Sequence, residues 1–113
     1  MINILIVDDH VIVREGIKRI INDTQDMQIK SEASNGEEAI NLIHENTYDL
    51  ILLDISMPGK NGLQTLKEIK KYNRNLQVLM LSMHSEEQYA MRTIKAGASG
   101  YITKDTASSQ LVT

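Results

Sequence analysis

Short apolar runs alternate along this chain with segments whose apolar positions recur at helical spacing. Ile2 to Val7 is a mostly apolar run stopped by two acids, Asp8 and Asp9. From Val11 to Ile21 the period changes. Ile12, Gly16, Ile17, Ile20 and Ile21 make one side, and Arg14, Glu15, Lys18 and Arg19 stay polar, which predicts an amphipathic helix ended by Asn22-Asp23-Thr24. Met27 to Ala33 alternates loosely and reads as a second strand. Asn35-Gly36 then breaks the chain, with Asn35 placed to cap a second helix. That helix carries Glu37 and Glu38 in its first turn, where the macrodipole favours acids, and Ala39, Ile40, Leu42 and Ile43 on its apolar side.

Leu50 to Leu53 is a third run, and it leads straight into Asp54 and a Pro-Gly turn at Met57-Pro58-Gly59. Gly62 to Tyr72 predicts a third helix with Leu63, Leu66 and Ile69 inward. Leu76 to Leu81 is a fourth buried run ending at Ser82. Glu86 to Ala96 predicts a helix with Ala90, Met91 and Ile94 inward, stopped by Gly97. Gly100 to Thr103 is a short fifth strand followed by Lys104, and Thr106 to Thr113 opens a last helix of about two turns.

Apolar runs of strand length, bounded by breakers, are strands buried on both faces. Five of them alternating with helices predict an α/β fold: a doubly wound, five-stranded parallel sheet with right-handed crossovers. Asp8 and Asp9, Asp54, Ser82 and Lys104 then fall at the carboxyl ends of four different strands. Open α/β sheets bind their ligands along that edge. Each residue also has a plainer role available. Asp8 or Asp9 could cap the first helix, Asp54 and Ser82 could start turns, and Lys104 could be a solvated surface lysine. Turns chosen only for their geometry would not be expected to collect four such groups on one edge.

Composition narrows the field. The 113 residues suit one domain with a modest core, and 42% hydrophobic content is enough to fold it. With no Trp or Phe and four Tyr, that core is aliphatic. The absence of cysteine excludes a disulfide framework and thiolate metal sites, which fits a cytoplasmic protein. Neither a signal peptide nor an apolar run of membrane-spanning length is present. Twelve basic against fifteen acidic residues leave a net charge of -3, so direct nucleic-acid binding by this chain is not expected.

If strands one and three are neighbours, Asp8, Asp9 and Asp54 converge. Two carboxylates about 4 Å apart repel by roughly 4 kcal/mol at an effective dielectric of about 20, so the group needs a cation or a proton. Carboxylates plus waters suit Mg²⁺. A carboxylate beside Mg²⁺ and a lysine is equipped for phosphoryl transfer. His10, His44 and His84 lie in different loops or helix ends and are expected to be exposed, not a histidine metal cluster.

The whole chain resembles the receiver domain of bacterial two-component response regulators. The matching positions are Asp8-Asp9, Asp54 in Leu-Asp-Ile-Ser-Met-Pro-Gly, Ser82, Tyr101 and Lys104. Val-Asp-Asp-His-Val-Ile-Val-Arg-Glu-Gly (7–16) and Leu-Ser-Met-His (81–84) look like the subfamily whose receivers precede a LuxR/NarL-type helix-turn-helix domain. The resemblance implies strand order 2-1-3-4-5, with residues 1–113 as one receiver domain and the DNA-binding effector domain absent. Asp54 would accept a phosphoryl group from a sensor histidine kinase. Asp9, Asp54 and the Ser56 carbonyl would bind Mg²⁺ directly, and Asp8 largely through water. Lys104 and the Ser82 hydroxyl would contact the phosphoryl group, and Tyr101 would swing inward with Ser82 to reshape the surface of helix four, strand five and helix five. Homodimerisation on phosphorylation is a further implication, tempered by the short last helix. Such a domain catalyses only its own phosphorylation and dephosphorylation.

The family usually has proline after the lysine. Asp105 stands there instead, so a trans Lys104–Asp105 peptide is expected. Two rivals share some of these features. An aspartate-nucleophile phosphohydrolase usually has its nucleophile on strand one and a second Asp two residues on, and Asp8-Asp9-His10 lacks that spacing. A degenerate receiver serving only as an interaction module would not be expected to keep Asp8, Asp9, Asp54, Ser82 and Lys104 together.

Overall fold

The computed structural model describes residues 1–54, 62–82 and 94–103, with the backbone alone described at Ser82 and at 101–103. In chain order the elements are β1 (Ile2–Val7), α1 (Val11–Asn22), β2 (Met27–Ala33), α2 (Gly36–Glu45), β3 (Leu50–Asp54), α3 (Gly62–Tyr72), β4 (Gln77–Ser82) and β5 (Gly100–Thr103). The strands form one sheet of order β2-β1-β3-β4-β5, and every neighbouring pair is parallel. This is the expected flavodoxin-like α/β architecture.

Strand side chains alternate between the two faces of the sheet, and the core divides accordingly. Ile4 and Ile6 of β1, Leu52 of β3 and Leu81 of β4 pack with Ile17 and Ile21 of α1. Leu5, Val7, Ile51, Leu53, Val78 and Met80 point the other way, onto Ala39 and Ile43 of α2 and Leu66 and Ile69 of α3. Each buried Ile, Leu, Val or Met among them contributes about 1.5–3 kcal/mol by leaving water. Helices therefore cover both faces, which is why the central strands read as continuous apolar runs.

The helix ends follow their sequences. Asn35 caps α2, its side-chain oxygen accepting from the Glu38 amide at 2.9 Å. Gly97 holds φ at 109°, a conformation side chains rarely adopt, and its amide bonds back to the Ile94 carbonyl at 3.0 Å. Three residues expected on apolar faces need correction. Ile12 is 88% exposed. The buried stripe of α1 runs through Val13, Ile17 and Ile21 at i, i+4 spacing, and Ile12, five residues before Ile17, lies about 140° away from it. Gly16 is exposed for the same reason, one residue off the stripe. Ile94 is also half exposed, while Ala96 and Ala98 turn inward.

Candidate functional site

Asp8 follows β1, and its amide still bonds to the Ala33 carbonyl of β2 at 3.0 Å. The strand pairing thus extends one residue and fixes the Asp8 backbone. Asp54 is the last residue of β3 and remains in register with Leu81 of β4. Because Val7 lies opposite Leu53, the residues that follow them emerge side by side at the carboxyl edge of the sheet. Both carboxylates are buried: Asp8 is 0% and Asp54 1% exposed.

The turn from β1 into α1 is built around Asp8. One oxygen, Oδ1, accepts from the His10 amide at 2.8 Å, closing an Asx-turn that starts the helix. His10 occupies the N-cap position and makes no side-chain cap bond, so Asp8 orders the turn ahead of α1 and neither acid is the N-cap of the helix. Arg14, one turn into α1, donates from Nη1 to the Asp8 carbonyl and lies with Nε 3.1 Å from Glu32 of β2. Lys18 approaches the other Glu32 oxygen at 2.9 Å. Lys18 foremost, and then Arg14, hold the Glu32 carboxyl below the usual carboxylate range against the opposing effect of burial. Glu32 first, and then Glu15, raise the Lys18 ammonium in turn.

Asp8, Asp9, His10 and Asp54 each offer a ligand atom, and the four atoms lie within 4.8 Å of one another. Three carboxylates this close suit a hard divalent cation, which accepts oxygen ligands and offsets their mutual repulsion. The residues present therefore fit Mg²⁺. Sequence reasoning set His10 aside as an exposed histidine. It is 59% exposed, yet its Nδ1 lies 3.1 Å from both Asp8 Oδ1 and Asp9 Oδ1. The signal available was its place directly after two acids at a strand end. Arg14 was likewise passed over as one charge on a polar helix face. Ser56, Lys104, His84, Ala90, Met91, the Met57-Pro58-Gly59 turn, the Lys104–Asp105 peptide and the last helix lie outside the described residues. So do the Ser82 hydroxyl and the Tyr101 ring, whose backbones stand opposite Thr103 and Met80 in the β4–β5 ladder.

Two hollows among the described residues lie elsewhere. One, of about 500 Å³, is bordered by Ile2, Asp49, Leu50 and Leu79. The other, of about 130 Å³, lies between Ile43, Tyr48 and Tyr72. Both open toward the amino ends of the strands, away from the carboxylates. No helix among the described residues is long and apolar enough to cross a membrane.

A parallel sheet of this order, with acids gathered where β1 and β3 end, defines the class of signalling receivers. Residues 4–113 match the response regulator receiver domain, and the chain belongs to that family. Response regulator UvrY of Escherichia coli (strain K12) is 39% identical over 112 residues, covering 99% of this chain and 51% of the relative. The chain thus spans about half the length of the curated relatives it matches. A LuxR-family two-component response regulator from Aurantimonas sp. SI85-9A1 superposes with a TM-score of 0.92 at 35% identity, covering 97% of this chain and 79% of that one. A CheX–CheY–BeF3–Mg²⁺ complex from Borrelia burgdorferi gives 0.89 at 31% identity, covering 98% of this chain and 84% of its counterpart. The chain is a receiver domain of two-component signalling, of the kind found in LuxR/NarL-type regulators.

Proposed function

We propose that Asp54 accepts a phosphoryl group from a sensor histidine kinase in a Mg²⁺-dependent reaction. The convergence of Asp8, Asp9 and Asp54 at one sheet edge, with Asp8 and Asp54 buried, carries this reading. The CheY relative solved with BeF3 and Mg²⁺ supports it. An Asp54 oxygen attacks phosphorus in line, forming an acyl phosphate as the phosphorus–nitrogen bond to the kinase histidine breaks and imidazole leaves. Asp9, Asp54 and the Ser56 carbonyl would hold Mg²⁺, with Asp8 acting largely through water. When bound, the ion supplies positive charge that offsets the charge on the phosphoryl oxygens.

Lys104 and the Ser82 hydroxyl would hold the remaining phosphoryl oxygens. Drawing Ser82 inward lets Tyr101 follow, which reshapes the surface of the predicted fourth and fifth helices and β5. A coupling of about 1–3 kcal/mol is typical of such two-state surfaces and suffices to bias one. The output would be homodimerisation and control of a LuxR/NarL-type helix-turn-helix domain, through which DNA is contacted. Residues 1–113 act as the receiver, with no direct nucleic-acid contact and no chemistry on outside substrates, at a cytoplasmic location.

Fluorine NMR with fluoroberyllate tests this reading. Bound resonances should appear with wild-type protein only when Mg²⁺ is present, and should vanish in Asp54→Asn. Resonances unchanged by that substitution would place the phosphoryl site elsewhere.

A further inference from the structure

We propose that Arg14 is a positioning residue for phosphoryl transfer, one that fixes the backbone from which Asp9 reaches the phosphoryl pocket. The inference rests on the reading of Asp54 as phosphoacceptor and Asp9 as a Mg²⁺ ligand, and it adds a residue that lies outside the carboxylate cluster.

Asp9 stands between two peptide planes, and each is held by a different bond. The Asp9–His10 plane is held through the His10 amide, which donates to Asp8 Oδ1 at 2.8 Å. The Asp8–Asp9 plane is held through the Asp8 carbonyl, which accepts from Arg14 Nη1. Ahead of both, the Asp8 amide is tied to the Ala33 carbonyl of β2 at 3.0 Å. The short Asp side chain has few rotatable bonds, so the two planes set where the Asp9 oxygens can go. Without Arg14 one plane is free to turn about the Asp8 ψ and Asp9 φ angles. Ordering it again at each binding event lowers affinity.

Arg14 is itself held. Its side chain is only 15% exposed, and its Nε lies 3.1 Å from Glu32 Oε1. The other Glu32 oxygen is 2.9 Å from Lys18 Nζ, so the carboxylate is anchored from two sides. The guanidinium thus places one arm of its rigid fork on β2 and another on the Asp8 carbonyl. Lysine carries a single nitrogen on a flexible stem and cannot hold both partners in this geometry. Glu32 acts one step further back, by keeping the fork aimed at the turn.

The test uses the full chain, modified with acetyl phosphate over a range of Mg²⁺ concentrations, as wild type, Arg14→Ala, Arg14→Lys and Glu32→Ala. Both Arg14 variants should need about tenfold more Mg²⁺ for half-maximal rate, while the rate at saturating Mg²⁺ changes less than about threefold. Glu32→Ala, which keeps Arg14 but releases it, should need about threefold more, and should add nothing in an Arg14→Ala background. A second readout uses ion-free protein and amide hydrogen exchange followed by NMR. Exchange at His10 should be about tenfold faster in Arg14→Ala. It should be unchanged at Asn46, whose amide bonds to the Leu42 carbonyl at the far end of α2. An Arg14→Ala variant with unshifted Mg²⁺ dependence and unshifted His10 exchange, whatever its urea midpoint, would make Arg14 only a brace for α1 and overturn the proposal. Full rescue by Arg14→Lys would overturn it too, since the fork would then have no role. Should Arg14→Ala not fold, the Mg²⁺ dependence and His10 exchange of Glu32→Ala decide in the same way. Wild-type protein that is not modified at all would instead remove the phosphoacceptor reading and this inference with it.

Discussion

Asp49 and Asn3 hold each other through two hydrogen bonds of 2.8 Å. The Asn3 amide donates to Asp49 Oδ2, and the Asp49 amide donates to the Asn3 carbonyl. This clamp stands just before the β1–β3 ladder, in which Ile4 faces Leu50 and Val7 faces Leu53. A slip of one residue would turn every β1 side chain to the opposite face and carry Asp8 away from Asp54. Asp49→Ala removes one of the two bonds and should cost about 1 kcal/mol in urea unfolding. An unchanged midpoint would show that the pair does not help to set the register.

Glu32 links the acidic corner to α1. Its carboxyl lies below the ordinary value of 4.5 because Lys18 and Arg14 surround it. A depressed carboxylate contributes stability above its unfolded pKa and loses it as pH falls through the folded one. Glu32→Gln should therefore cost about 0.5–1 kcal/mol at neutral pH, a modest figure for a partly solvated pair. The deficit relative to wild type should shrink as pH drops below about 4.5. Urea midpoints measured at both ends of this range check the sign. A deficit that grows on acidification would refute it.

Most of this architecture was legible in the sequence, because strands buried on two faces leave an unambiguous apolar run. β1, β2 and β5 begin and end where expected, and β4 starts one residue late because the Leu76 amide turns back to the Asn73 carbonyl. Helix faces were read less well. Apolar residues outnumber the places on α1 that touch the sheet, so Ile12 could be set aside only once Ile17 and Ile21 were seen to define the stripe. Asp8, Asp9 and Asp54 could be brought together because strand ends are countable. His10 and Arg14 could not, since their contacts depend on the Asx-turn that starts α1 and on Glu32 across the β1–β2 pair.

Tyr48 is buried, and its hydroxyl donates to Ser31 Oγ of β2 at 2.8 Å. Tyr48→Phe and Ser31→Ala should each destabilise by about 0.5–1.5 kcal/mol. The double variant should cost less than the two added together, because one bond is counted in both. Strict additivity in thermal or urea unfolding would show that the two groups act independently.

Gly97 combines positive φ with a close neighbour, since a Cβ there would lie 3.1 Å from Lys70 Cγ. Gly97→Ala should cost about 1–3 kcal/mol, most of it from the backbone conformation. Repeating the substitution in a Lys70→Ala background separates the two causes. The penalty should persist there, and its disappearance would assign the cost to crowding by the lysine.

The central claim concerns Asp54 as the group that receives phosphate, and mass spectrometry after incubation with Mg²⁺ and acetyl phosphate tests it most directly. Wild-type protein should gain a single phosphoryl group, mapped to the peptide that contains Asp54, and Asp54→Asn should gain none. Wild-type protein that stays unmodified, or an adduct of equal yield on Asp54→Asn, would contradict the account.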